Sequence, residues 1–411
     1  MARLTHRGIA LSFTAQLSRQ RGLNWIARCF QRSCTQTVES VREHQMLSYD
    51  ILIVGGGPSG SSCAWGLRRS GLEVAILDKQ VFPRDKVCGG WITPRVLSLL
   101  EIDPVEYACR RILQPIRGFK IGCIGTSIRQ EADYGKRVSY GIVRRQFDDY
   151  LIKRCEAHLH EGVGLLDLQR VAGGWIVNGK IRTRLLVGAG GHFCPVARHL
   201  GMRRAENAVV AQETEFELDA QQWTDCPVRG ATPELYFCAD MRGYGWCFRK
   251  GNLLNIGLGR ADPHGLPEHA HTFLRFLTAR DGLSQKIPAF RGHAYLLYGT
   301  SSRPIAGDGF LLVGDAAGLA SPQSGEGILP AVESGLLAAE VILSANGSYG
   351  GAQLEPYARR IEERFNGVNR EWAPRVGRYL PDNWLRFAAT RLLGSSWFIR
   401  NVVLDRWFLH L

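Results

Sequence analysis

Tyr49-Asp50-Ile51-Leu52-Ile53-Val54-Gly55-Gly56-Gly57-Pro58-Ser59-Gly60 is the stretch that decides the fold. A short apolar run rich in β-branched residues ends in a glycine cluster, which reads as a buried parallel strand entering a tight turn. Residues 58–70 continue as a helix, with the small residues Ser61, Ser62 and Ala64 suited to close packing, and Gly71 stops it. Glu73-Val74-Ala75-Ile76-Leu77-Asp78 is a second strand. Strand, turn, helix and strand within about 30 residues make a βαβ unit.

Each glycine in that turn has a physical task. Gly55 permits the turn, Gly57 lets backbone approach a pyrophosphate, and Gly60 allows helix and strand to touch. The helix opens at Pro58, which has no N–H of its own, and the free N–H groups of its first turn, from Ser59 onward, face an anion. Asp78 ends the second strand 18 residues after Gly60, placed to accept from a ribose hydroxyl, with Lys79 beside it. This frame marks a dinucleotide site without separating NAD from FAD.

A second constellation separates them. Gly307-Asp308-Gly309-Phe310-Leu311-Leu312-Val313-Gly314-Asp315-Ala316-Ala317-Gly318 reads as a buried strand over 310–315 running into a small-residue turn. Gly325-Glu326-Gly327-Ile328 and a helix over 326–345 follow. An acid at a strand end, Asp315, can accept from a ribityl hydroxyl. The backbone of Gly325, Gly327 and Ile328, at another helix N-terminus, can receive a phosphate or the N1–C2=O edge of a flavin. FAD is therefore the expected cofactor.

The rest of the chain arranges itself around these two. Pro83 to Thr93 is a loop, 115–142 reads as antiparallel strands, 144–158 as helix and Arg184–Ala189 as a buried strand. From about 205 to 300 the pattern is strand-like, with frequent aromatics. The expected fold is α/β: a Rossmann-like FAD-binding domain with an interleaved antiparallel β-sheet substrate domain and C-terminal helices. Its boundaries are 1–46 for an N-terminal extension, 47–98, 142–204 and 301–345 for FAD binding, 99–141 and 205–300 for substrate, and 346–411 for the C-terminal helical segment. At 411 residues there is ample chain for both domains.

Composition narrows the function class. The formal net charge is +13, and residues 1–38 contribute six arginines and no acid. No nucleic-acid-binding motif accompanies that charge, so nucleic acid is not an expected partner. The eleven cysteines are odd in number and lack any Cys-x-x-Cys pair, against a disulfide framework or a zinc site. No uncharged apolar run reaches the roughly 18–20 residues that span a bilayer. Residues 1–45 have the composition of an organelle transit peptide, or of a tail ahead of a start at Met46. The expected location is cytoplasmic, peripheral at the inner membrane, and organellar if 1–45 is a transit peptide. Segment 370–411 holds four of the ten tryptophans and seven arginines, which suits a headgroup interface or a helix packed on the domain.

With these motifs in place, the chain from about Tyr49 to Ala345 resembles the FAD-dependent superfamily typified by p-hydroxybenzoate hydroxylase, and within it the geranylgeranyl reductase family. Arg144-Arg145-Gln146-Phe147-Asp148 is similar to that superfamily's Arg-x-x-Phe-Asp, which implies a cofactor role for Arg144. Lys86-Val87-Cys88-Gly89-Gly90 resembles the reductases' Lys-x-Cys-Gly-Gly loop past the flavin ring. Tyr244-Gly245-Trp246-Cys247-Phe248-Arg249-Lys250 resembles their Tyr-x-Trp-x-Phe-Pro-Lys substrate-cavity motif, with Arg249 in place of proline. The superfamily's Gly-Ala-Asp-Gly reads Gly188-Ala189-Gly190-Gly191 here, without its acid, and His192 and Cys194 follow as a candidate pair in addition to Cys88.

The resemblance implies that Cys88, Tyr244 and Trp246 are catalytic. It also implies that Cys88, Gly89, Gly90, Gly188, Ala189, Gly190, Gly314 and Ala316 join the cofactor contacts. It implies reduction of carbon–carbon double bonds in an isoprenoid or other apolar, lipid-like substrate by hydride from reduced flavin. NAD(P)H or a reduced carrier protein would be the transient donor. The alternatives are a flavin monooxygenase and a membrane-associated electron-transfer flavoprotein.

Overall fold

The computed structural model describes residues 46–202, 208–262, 264–281, 287–300, 303–370 and 391–409. The extension 1–45, with its targeting expectation, and Trp372 and Trp384 of the C-terminal segment lie outside them.

The Leu47–Val54 strand sits inside an eight-stranded sheet, with Val74–Asp78 parallel on one side and Ile181–Gly188 parallel on the other. Ile51, Leu52, Ile53, Ala75, Ile76, Leu185, Leu186 and Val187 are fully buried. That is why these strands read as continuous apolar runs rather than alternating ones. His158–Glu161 extends the sheet beyond Val74–Asp78, and Phe310–Leu312 extends it beyond Ile181–Gly188.

Because the chain first moves to one side of the Leu47–Val54 strand and later to the other, a crevice opens at the carboxyl ends there. Register fills that crevice. Val54 pairs with Leu77 and with Gly188, and Gly188 pairs with Leu312. Gly55, Asp78, Ala189 and Val313 therefore come together at the carboxyl ends of the strands, although 258 positions separate the first from the last.

The Pro58–Leu67 helix packs against Ile328–Ser344 at backbone range. A Cβ on Gly335 would lie 2.3 Å from the Ser59 carbonyl oxygen, and one on Gly66 2.6 Å from Ala339 Cβ. Small residues on both helices make this contact, as the Ser61, Ser62 and Ala64 pattern anticipates.

A seven-stranded sheet runs in the order Arg291–Tyr295, Val209–Glu217, Leu253–Arg260, Gly243–Lys250, Glu234–Phe237, Gly118–Cys123 and Arg129–Asp133. It is antiparallel except where Glu234–Phe237 meets Gly118–Cys123. A three-stranded sheet joins Trp91–Ile92, Ser139–Ile142 and Leu113–Ile116.

Two elements depart from the sequence expectation. Residues 205–300 include the 16-residue helix Leu266–Asp281, whose Leu266, Phe273 and Leu277 are buried in one cluster with Tyr236, Leu254, Ile256 and Leu258, and whose Ala270 is buried too. The strand expected over 310–315 stops at Leu312, and Asp315 lies in a single 3₁₀ turn, Gly314–Ala316. Gly314 there takes φ +59°, which ends extended structure before the acid is reached.

At the C-terminus, Ser396–Phe398 leads into Ile399–Phe408, whose hydrogen bonds follow the wide π-helical pattern. Ile399, Val403, Leu404 and Phe408 join Phe119, Ile121 and Leu235 in one apolar cluster. Arg400 donates to the Asp133 carbonyl at 3.0 Å. Within the described part of the segment, Trp407 packs edge-on against Phe398 and Trp397 is 69% exposed. No helix among the described residues is long and apolar enough to cross a membrane.

The helix contact is testable. Gly335→Ala is expected to destabilise the protein by about 1–3 kcal/mol in urea denaturation, because the added methyl meets backbone. Gly292→Ala, where nothing lies closer than 3.7 Å, should move stability by less than about 0.5 kcal/mol.

Candidate active site

The site starts at the crevice. Asp78 is held at the mouth by two backbone donors, Gly56 N–H to Oδ2 at 2.7 Å and Gln80 N–H to Oδ1 at 2.9 Å. A Cβ on Gly55 would lie 2.4 Å from the Ala189 carbonyl oxygen, and one on Gly60 1.9 Å from that of Gly55. Those two glycines are demanded by the protein's own packing. Gly57 is different, since a Cβ there would meet only Arg84 Nη2 at 3.4 Å. Its open side, at the N-terminus of the Pro58–Leu67 helix, is where a ligand backbone can pass. Gly314 closes the crevice from behind, a Cβ there falling 2.9 Å from Ser59 Oγ. Lys79 is exposed outside this group.

Gly190 stands where the superfamily places an acid. A Cβ there would lie 2.7 Å from Pro195 Cδ and 3.1 Å from Cys194 Cα. Pro195 and Cys194 occupy the space that an aspartate would need. Cys194 is itself buried, its thiol pushed up by burial and packed toward Gly188. It does not line the cavity described below.

Charge gathers between the crevice and the loop at Cys88. Arg144, at the start of the Arg144–Arg154 helix, is buried rather than solvated. Its Nε and Nη2 donate to Asp148 Oδ1 and Oδ2, each at 2.9 Å, and Arg84 approaches the same carboxylate at 3.3 Å. Burial alone would lower the Arg144 pKa; Asp148 and the neighbouring Cys88 thiol more than offset it and keep the guanidinium charged.

Lys86 is held below its usual range by burial and by Arg144, and forms no ion pair among the described residues. His293 is driven down to about 3 by burial, then by Lys86 and Arg144, so its imidazole is neutral, with Nδ1 buried and unpartnered. Asp315 is raised by burial, against the pull of Lys86 and Arg144. Two cations, one acid and an orphaned ring nitrogen thus converge in a poorly solvated place. Such a set fits an anionic, hydrogen-bonding ligand, as does the open side of Gly57.

Beyond this cluster lies a cavity of about 110 Å³. Its walls are the Cys88-Gly89-Gly90 loop, the Gly325–Ile328 turn and the rings of Tyr244, Trp246 and Phe248, with Phe408 across one end. Alternation along the Gly243–Lys250 strand turns all three rings to one face. Trp91 stacks on Phe408 at 5.2 Å between ring centroids, and Tyr244 meets Phe408 edge-on at 5.5 Å. The Tyr244 hydroxyl donates to the Ser324 carbonyl, and burial raises its pKa well above the usual value, so it remains protonated. Eight of the residues expected at the site (Cys88, Gly89, Gly90, Tyr244, Trp246, Gly325, Gly327 and Ile328) therefore line one cavity.

Sequence reasoning missed Glu213 and Glu215 under that wall, and gave no individual role to Lys250, the last residue of the aromatic motif, or to Asn255 just after it. Trp246 Nε1 donates to Asn255 Oδ1 at 2.7 Å. An indole N–H can only donate, so this bond sets the amide orientation and turns Nδ2 toward Glu215 at 3.1 Å, Glu213 at 3.4 Å and the Cys88 carbonyl at 3.4 Å. Glu213 accepts the Cys88 N–H. Lys250 is buried, donates to the Gly89 and Ile142 carbonyls at 3.0 Å each, and pairs with Glu215. Burial raises Glu213 to about 7, partly opposed by the Cys88 N–H and Lys250. The available signal was an acid at Glu213 in alternation with the apolar, buried Val209 and Ala211 of the Val209–Glu217 strand.

The fold and crevice define a flavoprotein oxidoreductase. Residues 48–368 match the FAD binding domain family. Menaquinone reductase of Mycobacterium tuberculosis is 30% identical over 72% of this chain and 76% of its own length. Digeranylgeranylglycerophospholipid reductase of Methanocaldococcus jannaschii is 26% identical over 77% of this chain and 83% of its own. Among solved structures, a geranylgeranyl bacteriochlorophyll reductase-like protein from Thermoplasma acidophilum superposes with a TM-score of 0.72 at 22% identity, covering 88% of this chain and 96% of that one. The chain belongs to the FAD binding domain family, as a geranylgeranyl reductase-like, FAD-dependent oxidoreductase.

Gly57 offers a clean separation of binding from folding. Gly57→Ala is expected to leave the apoprotein's denaturation midpoint nearly unchanged, because the methyl meets no backbone. It should weaken FAD binding at least about tenfold, or about 1.4 kcal/mol, in a fluorescence titration. An unchanged affinity would route the cofactor away from Gly57.

Proposed function

We propose that this protein saturates carbon–carbon double bonds in an isoprenoid chain. The observation that carries this reading is the cavity wall, where Tyr244, Trp246, Phe248, Trp91 and Phe408 present hydrocarbon and ring faces opposite the Cys88-Gly89-Gly90 loop. Such a wall suits a polyprenyl segment better than a sugar or a phosphate. The names of its relatives, reductases of menaquinone and of a geranylgeranyl lipid, agree with that preference.

In this reading Gly55, Gly57, Pro58, Ser59, Gly60 and Asp78 hold the adenosine diphosphate half of FAD, with Gly188, Ala189 and Gly190 beside them. Gly314, Asp315 and Ala316 face the ribityl chain. The backbone of Gly325, Gly327 and Ile328 receives the polar edge of the ring system, and Arg144 and Lys86 supply positive charge to the same region. Reduced flavin supplies a hydride. The protein's own part is to orient the alkene, through the aromatic wall, and to keep water out. Cys88 lies in the loop between the two. This chain carries one Gly-x-Gly-x-x-Gly motif, which supports an external donor, either a docked nicotinamide or a reduced carrier protein. A lipid-like substrate also supports contact with a membrane surface, to which the exposed Trp397 would contribute.

The test is anaerobic turnover of holoprotein, its flavin reduced chemically, with a geranylgeranyl lipid. The expected product gains one H2 per double bond by mass spectrometry. Substrate-dependent oxygen consumption with a hydroxylated product, and no saturation, would overturn the reading.

A further inference from the structure

We propose that Glu213 is the acid of the reaction, the carboxyl group that protonates the substrate carbon next to the one receiving hydride. The assignment rests on the alkene-reduction reading above. It is drawn from geometry that places the Glu213 carboxyl beside Cys88 and Trp246 in a largely aromatic cavity wall, apart from the cavity's other carboxyl, Glu326, which belongs to the Gly325–Ile328 turn.

Position comes first. Glu213 lies on the Val209–Glu217 strand with Ala211 and lines the cavity with Cys88 and Trp246. Across the sheet it pairs with Gly257, which in turn pairs with Trp246. A Cβ on Gly257 would lie 2.2 Å from Trp246 Cζ2 and 2.8 Å from Glu213 Cβ. The missing side chain lets the indole lie flat across the middle strand and reach the carboxyl side. Asn255 Nδ2, its amide oriented by the Trp246 N–H, and the Cys88 N–H then hold that carboxyl from two directions.

Comparison with the other groups of the wall comes second. Glu326 sits on the Gly325–Ile328 turn, which the reading above gives to the polar edge of the ring system. Cys88 Sγ accepts the Gly90 N–H at 3.4 Å. The Tyr244 hydroxyl is committed to the Ser324 carbonyl and holds its proton far too tightly. The Trp246 N–H is committed to Asn255. His293 is neutral and has no proton of imidazolium to give. Tyr295 is raised beyond the usual phenol range by burial. Glu213, near 7, exists in both forms close to neutrality, as a proton donor in turnover must. The charged and titratable groups around it are Cys88 on the loop, Glu215 on its own strand, Lys250 on the Gly243–Lys250 strand, and Arg291 and His293 on Arg291–Tyr295.

The step balances. The alkene loses its π bond and gains two C–H bonds, one from the hydride with its electron pair and one from the carboxyl proton. Glu213 is left as carboxylate and takes a proton back from solvent water. Since the acid form is the reactive one, turnover should fall as pH rises through about 7.

The experiment compares wild type with Glu213→Gln as holoproteins, in single turnover from chemically reduced enzyme with a geranylgeranyl lipid. We expect the substitution to slow saturation by at least about 100-fold and to remove the pH dependence around neutrality. The flavin absorbance spectrum and FAD affinity should be retained, which excludes a misfolded variant. Independently of turnover, infrared difference spectra of the apoprotein should show a carboxylic acid titrating near 7 in wild type and none in Glu213→Gln. A variant that saturates the alkene at the wild-type rate overturns the assignment alone. A wild type that saturates no isoprenoid overturns the underlying reading. Equal loss of FAD affinity and turnover in the variant also overturns the assignment, because it reduces Glu213 to a support of the Cys88 loop.

Discussion

Everything functional in this protein hangs on the register of one strand. Val54 lies between Leu77 and Gly188, and Gly188 lies beside Leu312. A parallel sheet delivers whatever follows its strands to a single edge, so four chain segments distant in sequence emerge within one crevice. A slip of one residue along Leu47–Val54 would rotate Gly55 away from the Ala189 carbonyl and break the close approach that its missing side chain permits. Ile51, Leu52 and Ile53, with no exposed surface, and their equally buried neighbours make such a slip costly.

The price of that arrangement is buried charge. Arg144 is tolerable because Asp148 meets it with two parallel hydrogen bonds, and the same carboxylate also restrains Arg84. Lys86 has no comparable partner among the described residues, and Asp315 has been pushed toward its neutral form. The protein alone is electrostatically incomplete there. Such a place favours a ligand bearing phosphates and polarised carbonyls, whose binding there would relieve cost already present in the fold.

How much of this could be read from sequence follows from how local each feature is. The βαβ unit was legible because its strands are continuous apolar runs and its glycines stand at fixed spacing. The helix at Leu266–Asp281 was hidden because frequent aromatics in 205–300 suggested strand, although Leu266, Ala270, Phe273 and Leu277 follow helical spacing. Asp315 was recognised as an acid of the crevice, yet the turn that carries it depends on Gly314 at positive φ packed against Ser59, a contact no spacing reveals. The cluster of Glu213, Glu215, Asn255 and Lys250 was illegible for a related reason. Its members come from three strands, and only cross-strand register brings them under Trp246.

The hidden helix and the visible aromatic motif turn out to be one feature. Along Gly243-Tyr244-Gly245-Trp246, rings occupy the cavity face and glycines the opposite one. A Cβ on Gly245 would lie 2.6 Å from Phe273 Cε1, so the glycine makes room for the helix that the sequence pattern concealed. On the neighbouring strand Gly257 performs the reciprocal task on the cavity face, opening space for the Trp246 ring. The aromatic wall is thus fixed from both sides: Phe273 presses on the strand from behind, and the indole spreads over a glycine in front. A wall held this way keeps its rings in place without a ligand, which is what orienting a featureless hydrocarbon chain requires.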